Sequence, residues 1–253
     1  MAMLLPILTY HRISPPQAAD PFAHLCTRPE RLADHLRLLA RIGFRTIGGA
    51  EIAAEVLDRQ ALASANPRAA MITFDDGAAD LLDNALPLLS ARGMKAVVFL
   101  VADRSGDRAR WLDRDGRQGP PLLSWEQARQ MAPSVEFGSH TLTHPHLPQL
   151  SRADKEREIR DSRKAIEDRL GRPVTLFAYP FGDCDAECVQ VVRDAGYAAA
   201  VTTRRGSVHR PADLHELCRI PVHDGVTTWR LAYRVSWWYW VRYGIRDWLK
   251  SPW

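Results

Sequence analysis

Two aspartates and two histidines in this chain have the types and spacing to share one divalent cation. Asp75-Asp76-Gly77 closes the run Ile72-Thr73-Phe74, and His140-Thr141-Leu142-Thr143-His144 follows later. Neighbouring strand residues point to opposite faces, so Asp75 and Asp76 can serve one site only if the backbone turns there, and Gly77 permits a turn. Histidines four apart on an extended strand would sit roughly 13 Å apart. That is too far to share an ion held about 2.0–2.1 Å from each nitrogen. The segment must therefore curl. A turn of helix would bring both rings to one face, and Pro145 would end it by biasing His144 away from helical geometry. His140, His144 and one aspartate leave positions open for water and substrate, which is the reactive rather than the structural arrangement of a zinc site.

Such residues need strands to present them. Residues 69–74 are apolar apart from Thr73 and read as a strand buried on both faces of a parallel sheet. Residues 135–139 read as a second strand leading to His140, and a third turn follows at Phe177-Ala178-Tyr179-Pro180-Phe181-Gly182. Helix signals fall between the strands, as an α/β layout requires. Residues 29–42 place Leu32, Leu36 and Leu39 on one face and stop at Gly43. Residues 79–92 carry Pro87, which should bend or break that helix. Ser151 and Asp154 make a capping-box-like start to a polar helix that ends at Gly171, and a further helix over 188–195 ends at Gly196. Residues 103–121, with three glycines and Pro120-Pro121, read as a long loop. Trp111 on that loop could stack on a sugar ring or simply anchor the loop to the surface.

With these motifs in place, the chain resembles the polysaccharide deacetylases of the NodB-homology group, carbohydrate esterase family 4, over residues 4–224. The resemblance implies a single-domain α/β fold, the NodB-like deformed (β/α)7 barrel, over residues 1–228. It implies Asp75 as general base, with Asp76, His140 and His144 as metal ligands. In many members the third motif begins with an arginine that orients the base. Here Tyr179, Pro180, Phe181 and Gly182 are kept while Ala178 stands where that arginine would be, so this motif offers Asp75 no cation. The same motif implies that Tyr179, Pro180 and Phe181 contact the substrate or its oxyanion, the latter through a backbone N–H, that of Phe181. Two histidines compete for the role of general acid. His223 lies in Ile220-Pro221-Val222-His223, similar to a late family motif, although Pro221 argues against a central strand there. His11 closes the apolar run 4–10, as a barrel strand presents a catalytic side chain. It is favoured because a subgroup similar to the poly-N-acetylglucosamine deacetylases is circularly permuted and begins with such a Tyr-His. His146 reads as an ordinary loop histidine.

The chemistry implied is hydrolysis of an N-acetyl amide on a sugar polymer or a lipid-linked saccharide. The metal would be zinc, although cobalt, nickel or iron also suit two histidines and a carboxylate. Two other readings stand beside it: the same machinery acting on a small non-sugar amide, and a saccharide-binding or membrane-attached relative without turnover. With 46% hydrophobic and 25% charged residues in 253, the chain can bury one large core. Its four cysteines make no disulfide scaffold in a chain of this size. No charged leader or cleavage pattern precedes the first strand, which leads to the expectation of a cytoplasmic or already processed protein.

Residues 229–253 stand apart. They hold six of the eight tryptophans, and five Lys and Arg against one Asp leave +4, the whole formal net charge of the protein. The remainder is therefore formally neutral, which argues against a nucleic-acid footprint. Aromatic and basic residues at helical spacing suit a helix lying in a membrane interface. They also suit a last helix packed on the barrel or on a second copy of the chain, with its arginines reaching water.

Overall fold

The computed structural model describes residues 3–18, 20–49, 51–52, 68–104, 106–113, 116–209, 212 and 214–236. In chain order these form β1 (Met3–Leu4), β2 (Ile7–Tyr10), α1 (Pro29–Arg41), β3 (Phe44–Thr46), β4 (Arg68–Phe74), α2 (Asp80–Asn84), α3 (Leu86–Ser90) and β5 (Val97–Leu100). There follow α4 (Trp125–Met131), β6 (Glu136–Ser139), α5 (Arg152–Leu170), β7 (Leu176–Ala178), α6 (Ala186–Asp194), β8 (Ala199–Arg205), β9 (Val208–His209), β10 (Leu217–Pro221) and α7 (Thr228–Arg234). Residues 237–253, most of the Trp- and Arg-rich segment, lie outside the described residues.

Seven parallel strands close on themselves in the order β2-β10-β8-β7-β6-β5-β4, with β4 returning to β2. Closure uses the C-terminal part of β4, beyond its pairing with β3. Arg68 to Ala70 pair with β3, and Met71 to Phe74 pair with β2. Alternation along each strand sorts the side chains into two layers. Ile7, Met71, Val97, Phe99, Leu176, Val201 and Leu217 fill the barrel interior. Leu8, Ile72, Phe74, Val98 and Phe177 face the helices outside. The architecture is the expected deformed (β/α)7 barrel in a single domain.

The helices close the outer layer for local reasons. α1 starts at Pro29, where a missing N–H costs nothing, and buries Leu32, Leu36 and Leu39. Pro87 splits residues 79–92 into α2 and α3, which meet at Ala85. The Ser151 hydroxyl accepts from the Asp154 N–H at the start of α5, and Gly171 ends that helix at φ +64°.

Two expectations change. Pro221 does sit in a central strand, β10, which pairs with both β2 and β8. It is tolerated as the last residue of the strand, since the ladder continues through the Val222 N–H to the Thr9 carbonyl (2.9 Å). The stretch 103–121 is also less loose than its composition implies. Bridges Ala78–Leu122 and Arg108–Pro121 close it, and a 3-10 turn, Arg110–Leu112, presents Trp111.

Gly138 in β6 allows the close approach of strands inside the barrel, because a Cβ there would lie 2.5 Å from the Phe99 ring and 3.0 Å from the Leu176 carbonyl oxygen. Gly138→Ala should therefore destabilise by about 1–3 kcal/mol through overpacking, read as a lower urea midpoint. An unchanged midpoint would mean that Phe99 can step aside.

Candidate metal centre and active site

The site forms where β4, β6 and β7 end. By alternation from Met71 and Thr73, Asp75 turns into the barrel mouth, where it is buried. Asp76 would face the opposite way on a continuing strand, but it takes φ +69° and Gly77 takes φ +72°. Two successive left-handed residues bring the second carboxylate back beside the first.

Asp75 is held by a residue that the sequence reading missed. Arg219, two positions after Leu217 on the interior face of β10, donates from Nη1 to Asp75 Oδ1 and from Nη2 to Asp75 Oδ2, each at 2.6 Å. Its Nε donates to the Thr202 carbonyl (2.8 Å) and Nη1 also reaches the Thr73 hydroxyl (3.3 Å). The Thr202 carbonyl is available because β8 bulges here: Leu217 pairs with Val201 but Arg219 pairs with Arg205. The cation missing at Ala178 is thus supplied from another strand. Its only sequence signal is a charged residue in the apolar run 217–222. Burial alone would push the Asp75 carboxyl up, but the charge and hydrogen bonds of Arg219, then the charges of His140 and His11, hold it below the usual range.

His140 follows β6 and donates from Nδ1 to the Ala178 carbonyl (2.7 Å), which fixes its tautomer and turns Nε2 toward Asp76. Burial, reinforced by the neighbouring His144, pushes its pKa down to about 4, so the ring is the neutral form a metal requires. The curl to His144 is not the expected turn of helix. Thr141 (φ +68°) and His144 (φ +65°) are both left-handed, and the Thr141 hydroxyl accepts from the His144 N–H (3.0 Å). Among the described residues the non-glycine positive-φ positions are Asp76, Thr141, His144 and Phe181, all at this site. Such strain marks places where the surroundings dictate geometry.

The three ligand residues fit a metal. Asp76 Oδ1 lies 3.6 Å from His140 Nε2 and 3.4 Å from His144 Nε2, and one donor atom from each residue falls within 4.8 Å of the others. Those separations are long for hydrogen bonds. The two Asp76–histidine separations lie near the edge of a tetrahedron whose centre is about 2.0–2.1 Å from each ligand, about 3.3–3.4 Å. Burial raises the Asp76 carboxyl, but the His144 contact and the charges of His144, His11 and His140 outweigh it and hold the group well below the carboxylate range.

Aromatic rings wall the centre. Trp111 stacks on His144 (centroids 4.3 Å, planes 12° apart), so one of its faces is already committed to a metal ligand. Phe181, left-handed at φ +58° and 45% exposed, meets His144 edge-on at 4.6 Å. Its ring also stacks on His146 at 3.9 Å, which gives that loop histidine a place beside the site. Tyr179 does not reach the site. It alternates outward from Ala178, lies buried in the helix-facing layer, and its hydroxyl donates to the His215 carbonyl (3.0 Å). Pro180 is buried in the turn.

The two candidate acids separate clearly. His11 is half-buried just beyond β2, and its charge acts on both Asp75 and Asp76. The end of β2 is pinned by Tyr10, whose hydroxyl donates to His35 Nδ1 (2.9 Å) while His35 Nε2 donates to the Val226 carbonyl (2.7 Å). His223 sits exposed in its own turn, where Nδ1 accepts from the Gly225 N–H (3.2 Å). Burial, then the charges of Arg234, Arg230 and Arg205 against that of Asp224, lower its pKa. Asp75 and Asp76 are not among the largest influences on it.

Truncating Arg219 leaves Asp75 buried without its counter-charge. Arg219→Met should cost about 3–5 kcal/mol at pH 7. Because the folded pKa of Asp75 is depressed, its contribution is complete above the unfolded value near 3.9 and is lost as pH falls through the folded value. The gap between wild type and variant in urea unfolding should therefore narrow below about pH 4. A gap that widens there would contradict the pairing.

Over residues 63–200 the chain matches the family model described as polysaccharide deacetylase. YxkH of Bacillus subtilis (strain 168), provisionally named a polysaccharide deacetylase, is 29% identical over 224 residues, covering 88% of this chain and 73% of its own. Among solved structures, the deacetylase PplD of Streptococcus pyogenes has a TM-score of 0.79 at 22% identity, covering 93% of this chain and all of its own. IcaB from Ammonifex degensii has a TM-score of 0.75 at 21% identity, covering 92% and 97%. These two neighbours share the fold. The matched stretch is more than half of the chain and takes in Asp75, Asp76, His140 and His144, and the chain therefore belongs to the polysaccharide deacetylase family.

Proposed function

We propose that the protein is a metal-dependent hydrolase that removes N-acetyl groups from an N-acetylated sugar polymer or lipid-linked saccharide, with zinc as the metal. The observation that carries this reading is the division of labour between adjacent carboxylates. Asp76 completes a three-ligand metal set, while Asp75 stands beside that set and is paired with Arg219. A saccharide binder without turnover has no need of the second carboxylate, ionised and buried at the mouth of the barrel.

A divalent cation bound there would acidify water and polarise an acyl oxygen. Each Asp75 oxygen spends one lone pair on Arg219 and keeps another, so the ionised group can take the proton of the attacking water. The guanidinium keeps it from being protonated beforehand. The backbone N–H of Phe181, a residue in a left-handed turn whose ring meets His144, would be the group that receives an oxyanion. His11, flanking both aspartates, delivers a proton to the departing amine. The exposed faces of Trp111 and Phe181 line the approach and suit the apolar face of a sugar ring better than a small, non-sugar amide.

The purified protein should release acetate from N-acetylglucosamine oligomers, lose that activity on chelation, and recover it with zinc. Asp75→Asn should lower turnover by at least about 10²-fold while still binding metal. Metal binding without acetate release from any N-acetyl sugar would remove the substrate assignment and leave the small-amide reading in its place.

The C-terminal face supplies a second partner, an anionic membrane surface on which a lipid-linked substrate would be presented. Helix α7 buries Leu231, and Val235 at its C-terminal cap, but leaves Trp229 71% exposed next to the exposed Arg230, and the charges of Arg230 and of the exposed Arg205 on β8 both act on the exposed His223 after β10. No helix among the described residues is long and apolar enough to cross a membrane. Full-length protein should co-sediment with vesicles containing anionic phospholipid, more weakly at high salt, and Trp229→Ala with Arg230→Glu should reduce binding. Equal behaviour with neutral and anionic vesicles would dismiss this contact.

A further inference from the structure

Helix α5 carries a buried polar seam, Lys155, Glu158 and Ser162, on a helix that is otherwise charged and largely exposed. Spacings of three and four residues put the three side chains on one face. Polar groups turned inward cost free energy unless each finds a partner, and each of these does so on a neighbouring element. Lys155 Nζ donates to Asp185 Oδ2 (3.0 Å) and Glu187 Oε2 (2.7 Å) at the start of α6. The Ser162 and Ser139 hydroxyls share a hydrogen bond of 2.7 Å immediately before His140. Glu158 makes the densest set: Oε2 accepts from the Leu142 N–H (2.9 Å) and the Thr143 N–H (3.0 Å), and Oε1 accepts from the Thr143 hydroxyl (2.8 Å).

All three donors to Glu158 belong to the two residues that lie midway between the ligands His140 and His144. The loop is strained on either side of them, with left-handed backbone at Thr141 and at His144. Those are the conformations that fold the segment back so that both Nε2 atoms face Asp76. Released from Glu158, the segment could relax toward extended backbone and part the rings.

We infer that Glu158 is a positioning residue for the metal centre: its clamp on Leu142 and Thr143 holds the His140–His144 loop in the strained form and thereby sets metal affinity. The inference rests on the metal reading of the site proposed above. It assigns Glu158 no contact with metal or substrate. It also separates the two ends of the seam, since Lys155 grips α6 and contributes to stability alone.

The test is zinc affinity of the full-length, metal-stripped protein, measured by competition with a chromophoric chelator alongside thermal unfolding. Glu158→Ala should weaken zinc binding by about ten-fold or more, the scale seen when groups that orient metal ligands are removed. Glu158→Gln keeps an acceptor for the two N–H groups and an amide that can meet the Thr143 hydroxyl, so it should restore most of the affinity. Lys155→Met should lower Tm and leave affinity unchanged. If Glu158→Ala does not fold, Thr143→Val, which removes only the hydroxyl arm of the clamp, should weaken zinc binding by a smaller factor at nearly unchanged Tm. Wild-type affinity in Glu158→Ala, or in Thr143→Val where that variant stands in, overturns the inference, as does an equal loss in Lys155→Met. A wild-type protein that binds no zinc would instead bring down the metal reading, and this inference with it.

Discussion

A buried carboxylate kept ionised at the mouth of an apolar barrel is the condition around which this molecule is arranged, and the fork between Arg219 and Asp75 is what meets it. Either charge alone would be costly there. Together, with Thr202 and Thr73 absorbing the remaining guanidinium donors, they leave little unsatisfied. The fork also ties β10 to β4, the two strands that flank β2, and the Arg219 guanidinium sits 5.9 Å over the Phe99 ring from β5. An irregularity in β8 serves this arrangement directly, since the bulge at Thr202 frees the carbonyl that orients Arg219.

Around that fixed point the site is built from backbone that would not adopt its conformation unaided. Asp76, Thr141, His144 and Phe181 are non-glycine residues in left-handed conformations, and each belongs to the three residues that could hold a metal, is a neighbour of one, or is part of the wall against one. The rest of the fold has to hold them there, and its means are ordinary hydrogen bonds from unstrained elements: the Ala178 carbonyl on His140, the Thr141 hydroxyl on the His144 N–H, and the carboxylate of Glu158 on the loop between. Rigid elements thus supply the geometry, and the loops supply the chemistry.

How much of this could be read from the chain depends on the range over which each interaction acts. The parallel strands at 69–74 and 135–139 were legible because burial on both faces leaves a continuous apolar run. Asp75, Asp76, His140 and His144 were legible because a turn residue and a fixed spacing accompany them. The curl between the histidines was misjudged as helical, because two left-handed residues leave no mark in a run such as His-Thr-Leu-Thr-His. Tyr179 was placed at the site although alternation from Ala178 sends it outward, a local signal that the motif obscured. Arg219 was invisible for a different reason. Its partner is 144 residues away, and nothing near it shows that β10 lies within reach of β4. Glu158 is one charge among many on a polar helix, whose pattern shows which residues are charged but not which face meets a loop.

The same long separations bear on how the protein comes to be folded. The barrel closes only when β10 inserts between β2 and β8, joining strands from opposite ends of the described chain. Pairings so distant in sequence form late, since the entropy of closing the intervening loop must be met before any contact rewards it. Asp76, His140 and His144 all belong to the part made earlier, yet Asp75 has no counter-charge until β10 docks. A chain synthesised only as far as β8 would hold the ligands without the guanidinium, and a buried, unpaired carboxylate would oppose its collapse. Docking of β10 therefore both closes the barrel and brings Asp75 its counter-charge.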